Sequence, residues 1–149
     1  MQASDLMGVN VKTIGPDNTV REAARAMLEH NVSVLPVVDA ADKLVGILTH
    51  TDFGLHPKYY PLADNVFTLL GASTTARHLE SVSKQVGDKL VKNVMRRPVI
   101  TVRADTSVEA LIALMLREGI HRVPVVDAAG KLVGIITRHD FLKLIADSE

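Results

Sequence analysis

The 149 residues carry 17 Lys plus Arg against 17 Asp plus Glu, so no net field draws the chain toward nucleic acid or an anionic membrane surface. Apolar residues make up 47% and cysteine is absent, which leaves material for a core and excludes disulfides, thiolate metal sites and thiol catalysis. The N-terminal Met1-Gln2-Ala3-Ser4-Asp5 is not a basic lead into an apolar stretch, and no run of about 18 apolar residues occurs anywhere; the expectation is a soluble, cytoplasmic protein with no membrane partner.

In chain order, the β-branched run Val11 to Ile14 predicts a short strand. Val20, Ala23, Ala24, Met27 and Leu28 follow at the spacing i, i+3, i+4, i+7, i+8, which predicts a helix with one buried face, entered at the capping-box sequence Thr19-x-x-Glu22. Two nearly continuous apolar runs, Val34 to Val38 and Leu44 to Leu48, flank Asp39-Ala40-Ala41-Asp42-Lys43 and predict a hairpin. Their lack of alternation predicts a sheet covered on both faces. From Gly54 to Val94 the chain is longer than an ordinary loop; Leu62, Val66, Leu69 and Leu70, then Ala76, Leu79, Val82 and Val86, fit helical stripes punctuated by Gly71 and Gly87. One or two helices are expected there. The pattern then starts again: a strand at Val99 to Val102, a helix through Val108, Leu111, Ile112, Met115 and Leu116 behind Thr106-x-x-Glu109 and ended by Gly119, and a hairpin through Asp127-Ala128-Ala129-Gly130-Lys131.

The recurrence is literal. Slid by 88 positions, Met7 to Phe53 lies over Met95 to Phe141 without a gap, with 21 identities in 47 positions. Each copy reads β-α-β-β-α, a mixed α/β (α+β) unit too small to cover both faces of its own sheet. Two pseudo-symmetric copies packed sheet to sheet, with helices outside, would do so. The expected organisation is repeat 1 over residues 1-56, a helical insert over 57-90 and repeat 2 over 91-149.

Both copies end their last strand alike, Gly46-Ile47-Leu48-Thr49-His50-Thr51-Asp52 and Gly134-Ile135-Ile136-Thr137-Arg138-His139-Asp140. Thr49 and Thr137 stand where a strand hands over to a helix, the place where ligands of open α/β sheets gather. A carboxylate three residues on, Asp52 or Asp140, can accept from two vicinal hydroxyls at once, and the helix start offers N–H donors to phosphate. The same Thr-x-x-Asp is also a capping box that satisfies the helix end, and a threonine hydroxyl can serve both purposes.

With Pro-Val-Val-Asp ahead of each hairpin, these signatures resemble those of the CBS domain family, over nearly the whole chain apart from the insert. The resemblance implies a tandem pair of CBS repeats that binds AMP, ADP, ATP or a related adenosyl ligand, with ribose on Thr49, Asp52, Thr137 and Asp140. His121-Arg122 ahead of Val-Pro-Val-Val-Asp resembles the phosphate-contacting segment of the regulatory γ subunit of AMP-activated kinase. With Arg138 and His139, and His50 in the other copy, these are the expected phosphate contacts, guanidinium and imidazole both being suited to phosphate oxygens. For the base, the family implies Thr13, Ile14, Pro36, Thr101, Val102 and Pro124. The resemblance also implies a homodimer and a separate target protein, the module acting as a regulatory sensor. A ligand-independent dimerisation or scaffold module is the other reading.

Further classes find little footing. Six histidines have no helical metal-site spacing, and Gly130-Lys131 lacks the glycine-rich stretch of a phosphate loop. No nucleophile stands beside a base, so no enzyme is expected and no cofactor is obligatory. Lys89, Lys92, Arg96, Arg97 and Arg103 come without stacking aromatics and read as a solvated charged segment rather than a nucleic-acid face.

Overall fold

The computed structural model describes residues 1–50 and 76–148. Its elements run α1 (Ala3–Leu6), α2 (Val20–His30), β1 (Val34–Val38), β2 (Leu44–Thr49), α3 (Ala76–Gly87), α4 (Val91–Val94), α5 (Val108–Glu118), β3 (Arg122–Val126), β4 (Leu132–Thr137), a 3₁₀ turn (Arg138–Phe141) and α6 (Leu142–Ala146). This is the mixed helix-and-strand repeat that the sequence predicts. Two compact units result. One is built on β1 and β2 (Lys12–Asp39, Val45–Pro98), the other on β3 and β4 (Met1–Val11, Ala40–Leu44, Val99–Glu149).

Local chemistry sets the helix ends. The Thr19 hydroxyl accepts the Glu22 N–H at 3.2 Å and starts α2. At α5 the cap lies one residue beyond Thr106: Ser107 accepts the Ala110 N–H at 3.2 Å, while the Thr106 hydroxyl accepts the Arg103 N–H of the preceding turn. Both helices stop on a left-handed residue, Asn31 (φ 50°) and Gly119 (φ 64°). Val20, Ala23 and Met27 reach one core, Val108, Leu111 and Met115 the other. The outer edge of each expected stripe is not buried, since Leu28 is 84% exposed, Leu116 78% and Ile112 38%. Eight residues at about 100° each leave Leu28 some 80° round from Val20, at the limit of a one-sided core.

The hairpins form as expected, with β3 and β4 antiparallel and Arg122 opposite Thr137. The first strand of each copy does not. Val11 to Ile14 and Val99 to Val102 shrink to single parallel bridges, Ile14 with Val37 and Val102 with Val125. Each bridge uses the proline carbonyl next door: Ile14 N–H donates to Pro36 O at 3.1 Å and Val102 N–H to Pro124 O at 3.1 Å. One step further along, the ladder would need the N–H of Pro36 or Pro124, which proline lacks. In the β3–β4 turn the Asp127 carboxylate accepts the N–H groups of Ala129 and Lys131, both at 2.9 Å. The Lys131 N–H foremost holds its carboxyl below the ordinary aspartate value, helped by the Ala129 N–H and the charges of Lys131 and Arg103.

The compact units are not colinear with the sequence repeats. Helix α1 opens the first repeat, yet Ala3 and Leu6 are buried with Val108, Leu111, Val123 and Ile136 in the β3–β4 unit. Helix α4 opens the second repeat, yet Val91 is buried with Val20, Leu35, Val37 and Leu48 in the β1–β2 unit. The backbone bonds match across the same 88-residue offset. Val108 N–H donates to Met1 O and Ala3 N–H to Thr106 O in one unit; Val20 N–H donates to Lys89 O and Val91 N–H to Asn18 O in the other. Likewise Gly8 and Ile135 exchange both backbone bonds, as Arg96 and Ile47 do. The Met7 thioether lies over Gly134, where a Cβ would meet the sulfur at 2.7 Å, and the Met95 thioether covers Gly46 in the same manner. Helix α3, expected from the Ala76-to-Val86 stripe, buries Val82 and sets Val86 against the β1–β2 core. The expected stripe Leu62 to Leu70 lies outside the described residues.

Candidate functional site

In the β3–β4 unit, β4 ends at Thr137 and the chain turns at once into the 3₁₀ turn. Asp140 Oδ2 accepts the Thr137 N–H at 2.7 Å and the Thr137 hydroxyl at 3.2 Å. The capping role of Thr-x-x-Asp is therefore filled. Lys143 Nζ stands 3.4 Å from Asp140 Oδ1, and the Asp140 side chain keeps 17% of its surface exposed. A carboxylate has about four acceptor positions, so this geometry leaves room for a donor from outside.

Strand register decides which of the expected residues share a surface. Arg122 lies directly across from Thr137, so the two side chains leave the same face of the ribbon. Their neighbours Val123 and Ile136 point the other way and are fully buried in the core. The next pair outward is His121 and Arg138, joined by Arg138 N–H to His121 O at 3.1 Å. Both border an apolar groove of about 540 Å³ walled by Ile112, Leu116, Phe141, Leu144 and Ile145 of α5, the 3₁₀ turn and α6. The four expected phosphate donors of this copy are thus divided. Arg122 shares the Thr137 face, His121 and Arg138 stand at the helix-side groove, and His139 is exposed on the 3₁₀ turn.

Of the residues expected around the base, Val102 belongs to the core, Pro124 is fully buried and Thr101 is half-buried beside them. The β1–β2 unit repeats this: Pro36 is fully buried, Ile14 half-buried and Thr13 exposed. Thr49 ends β2 half-buried. His50 donates its N–H to Ser33 O at 3.1 Å, and its Nδ1 folds back to 3.4 Å from the same oxygen. Asp52 lies outside the described residues. Within the basic segment, Lys92 is paired to Asp17 at 3.1 Å. Among the described residues no three His, Asp or Glu side chains converge on a point that would hold a metal ion, and no helix is long and apolar enough to cross a membrane. Sequence reasoning passed over Lys143, although an Asp and a Lys three apart at a helix start are neighbours on one face.

The CBS domain model matches residues 3–53 and 91–147, both copies of the repeat. The chain belongs to the CBS domain family. This CBS pair is 34% identical over 142 residues, 95% of the chain, to inosine-5′-monophosphate dehydrogenase of Methanocaldococcus jannaschii, and spans 23% of that enzyme. It spans 36% and 58% of two further archaeal relatives, from Methanocaldococcus jannaschii and Methanopyrus kandleri. Among solved structures, the CBS domain of a CBS domain containing membrane protein from Sphaerobacter thermophilus is 38% identical with a TM-score of 0.76, covering 97% of this chain and 87% of that one. CBSX2, a CBS-pair protein from Arabidopsis thaliana solved in complex with AMP, is 27% identical with a TM-score of 0.69, covering 97% and 96%. The CBS domain pair of protein MJ0100, solved with 5′-methylthioadenosine and S-adenosyl-L-methionine, is 26% identical with a TM-score of 0.69, covering 100% and 98%.

Proposed function

We propose that this CBS pair is a cytoplasmic regulatory module that binds an adenine nucleotide or related adenosyl ligand, catalyses nothing itself, and acts on a separate target protein. The observation that carries the reading is the corner at the end of β4. Asp140 is held by Thr137 as an acceptor for vicinal hydroxyls, and Arg122 leaves the same face directly across the ribbon, where a phosphate oxygen would meet a guanidinium. The AMP of CBSX2 and the adenosyl ligands of MJ0100 support the ligand class. Thr49 and Asp52 are the counterpart ribose contacts of the first copy, His121, Arg138, His139 and His50 further phosphate contacts, and Thr13, Ile14, Pro36, Thr101, Val102 and Pro124 the surroundings of the base. The ligand acts by differential affinity for two arrangements of the pair, the only way in which binding shifts such an equilibrium.

A second reading, a ligand-independent dimerisation or scaffold module, is favoured by a separate observation. Leu116 and Ile145 are more than half exposed along the α5–α6 groove, an apolar face that a second copy would cover. The two readings share the homodimer and differ in the ligand. Thermal unfolding of nucleotide-stripped protein against AMP, ADP, ATP, S-adenosylmethionine and GTP separates them. Ligand at a hundred times its dissociation constant adds about 2.7 kcal/mol, which raises the midpoint by roughly 5 to 10 °C for a chain of this length. The sensor reading expects that shift with adenine ligands, none with GTP, and a diminished shift in Asp140→Ala. No shift with any of them leaves the scaffold reading standing.

A further inference from the structure

Lys143 is not a member of the sugar-binding pattern, yet its ammonium joins two parts of the β3–β4 unit that lie far apart in sequence. It donates to the Leu6 carbonyl at 2.9 Å and stands 3.4 Å from Asp140 Oδ1. Leu6 is the last residue of α1, a helix too short to occupy its own final carbonyls, so the ammonium satisfies one of them. Two residues on, Gly8 and Ile135 exchange backbone bonds of 2.9 and 3.0 Å, and Met7 lies over Gly134. The segment Met1–Gly8 is therefore a strap laid across β4, and it continues through residues 9–11 to Lys12, where the other unit begins.

Resting on the nucleotide reading above, we infer that Lys143 is a positioning residue that couples ligand occupancy at Asp140 to the order of this strap. The Lys143 side chain is 52% exposed, and at 3.4 Å its pairing with Asp140 is a loose one that solvent screens. Vicinal hydroxyls donating to Asp140 fix the carboxylate and displace the water around it. The ammonium is then held more firmly, and with it the Leu6 carbonyl. Order already imposed by the ligand no longer has to be imposed when the strap closes, which is positive coupling without a change of fold. Linkage makes it reciprocal: a firmer strap binds ligand more tightly by the same factor.

The test is amide exchange at Met7 and Gly8, read by NMR on the full chain with and without saturating AMP or S-adenosylmethionine. The wild type, Lys143→Met and Lys143→Arg are compared. In the wild type the bound ligand slows Gly8 exchange at least about fivefold, the lower end of ordinary coupling. Lys143→Met abolishes that dependence and weakens ligand binding by the same factor, and Lys143→Arg restores both. Equal slowing in Lys143→Met, or ligand binding with no change at Gly8 in the wild type, overturns the coupling and leaves the nucleotide reading intact. Failure of both ligands to bind the wild type overturns the nucleotide reading and the coupling with it.

Discussion

Replacing Leu6 by Ala probes the exchange of segments between the repeats. Leu6 is 2% exposed and packs among Val108, Leu111 and Ile136. The substitution removes three carbons, which at about 0.8 kcal/mol per buried CH₂ is roughly 2.4 kcal/mol of transfer free energy. The cavity left behind carries such changes into a range of about 2 to 5 kcal/mol. Helix α1 has only four residues and can settle inward, so the expected loss lies in the lower half, about 3 kcal/mol. For a chain of this length that is a fall in melting temperature of roughly 6 to 12 °C. The location of the loss is more telling than its size. In hydrogen exchange followed by NMR, Leu6→Ala opens the amides of Val123 and Ile136 more than those of Leu35 and Leu48, and Val91→Ala opens the second pair more than the first. A Leu6→Ala protein that loosens β1 and β2 first, or loses less than about 1 kcal/mol against the range for buried leucines, refutes the packing argument.

Other expectations follow from single contacts. Gly134→Ala places a Cβ 2.7 Å from the Met7 sulfur and 3.0 Å from the Gly8 carbonyl oxygen; it costs about 1 to 3 kcal/mol in chemical denaturation, and an unchanged midpoint contradicts the close approach. Leu116→Lys leaves the isolated chain within about 0.5 kcal/mol of wild type, as an exposed site should; for the homodimer proposed above through the α5–α6 groove, sedimentation finds a dimeric wild type and a monomeric variant, and a variant that stays dimeric removes α5 from that proposed contact. Asp127, whose folded pKa is depressed, contributes stability that is present above the ordinary aspartate value and is lost as pH falls through the folded one. A carboxyl NMR titration finds its midpoint below that of an unperturbed aspartate, and Asp127→Ala removes the acid-linked change in turn protection.

Much of this architecture is legible along the chain because it is local. The period of the apolar residues marks α2 and α5, Gly119 marks the end of α5, and the apolar runs around Asp39 and Asp127 mark the hairpins. The 88-residue offset lays Thr19 over Ser107 rather than Thr106, which singles out the α5 cap within the one residue that Thr106-x-x-Glu109 leaves open. What local pattern does not carry is choice of partner. The segments Ala3–Leu6 and Val91–Val94 share no identical residue but have the same apolar-polar-polar-apolar order, and that order does not say which of two similar cores will take each one. The same holds for the site. Thr137 and Asp140 could be named from spacing, whereas the separation of Arg122 from His121 and Arg138 depends on strand register. The contact between Lys143 and the Leu6 carbonyl spans 137 residues.

That crossing of segments has a bearing on synthesis. Gly8 leaves the ribosome 127 residues ahead of Ile135, the residue with which it pairs. At ordinary elongation speeds of about 5 to 20 residues per second, the nascent strap waits roughly 6 to 25 s for its seat. Ala3, Leu6 and Met7 are apolar and without their final cover during that interval. The core holding Val20, Leu35, Leu48 and Val91 has all those residues available once Val91 has emerged, so it can close first while the strap is still idle. A slow stretch of message before β4 would therefore lengthen the exposure of one half of the molecule and leave the other untouched.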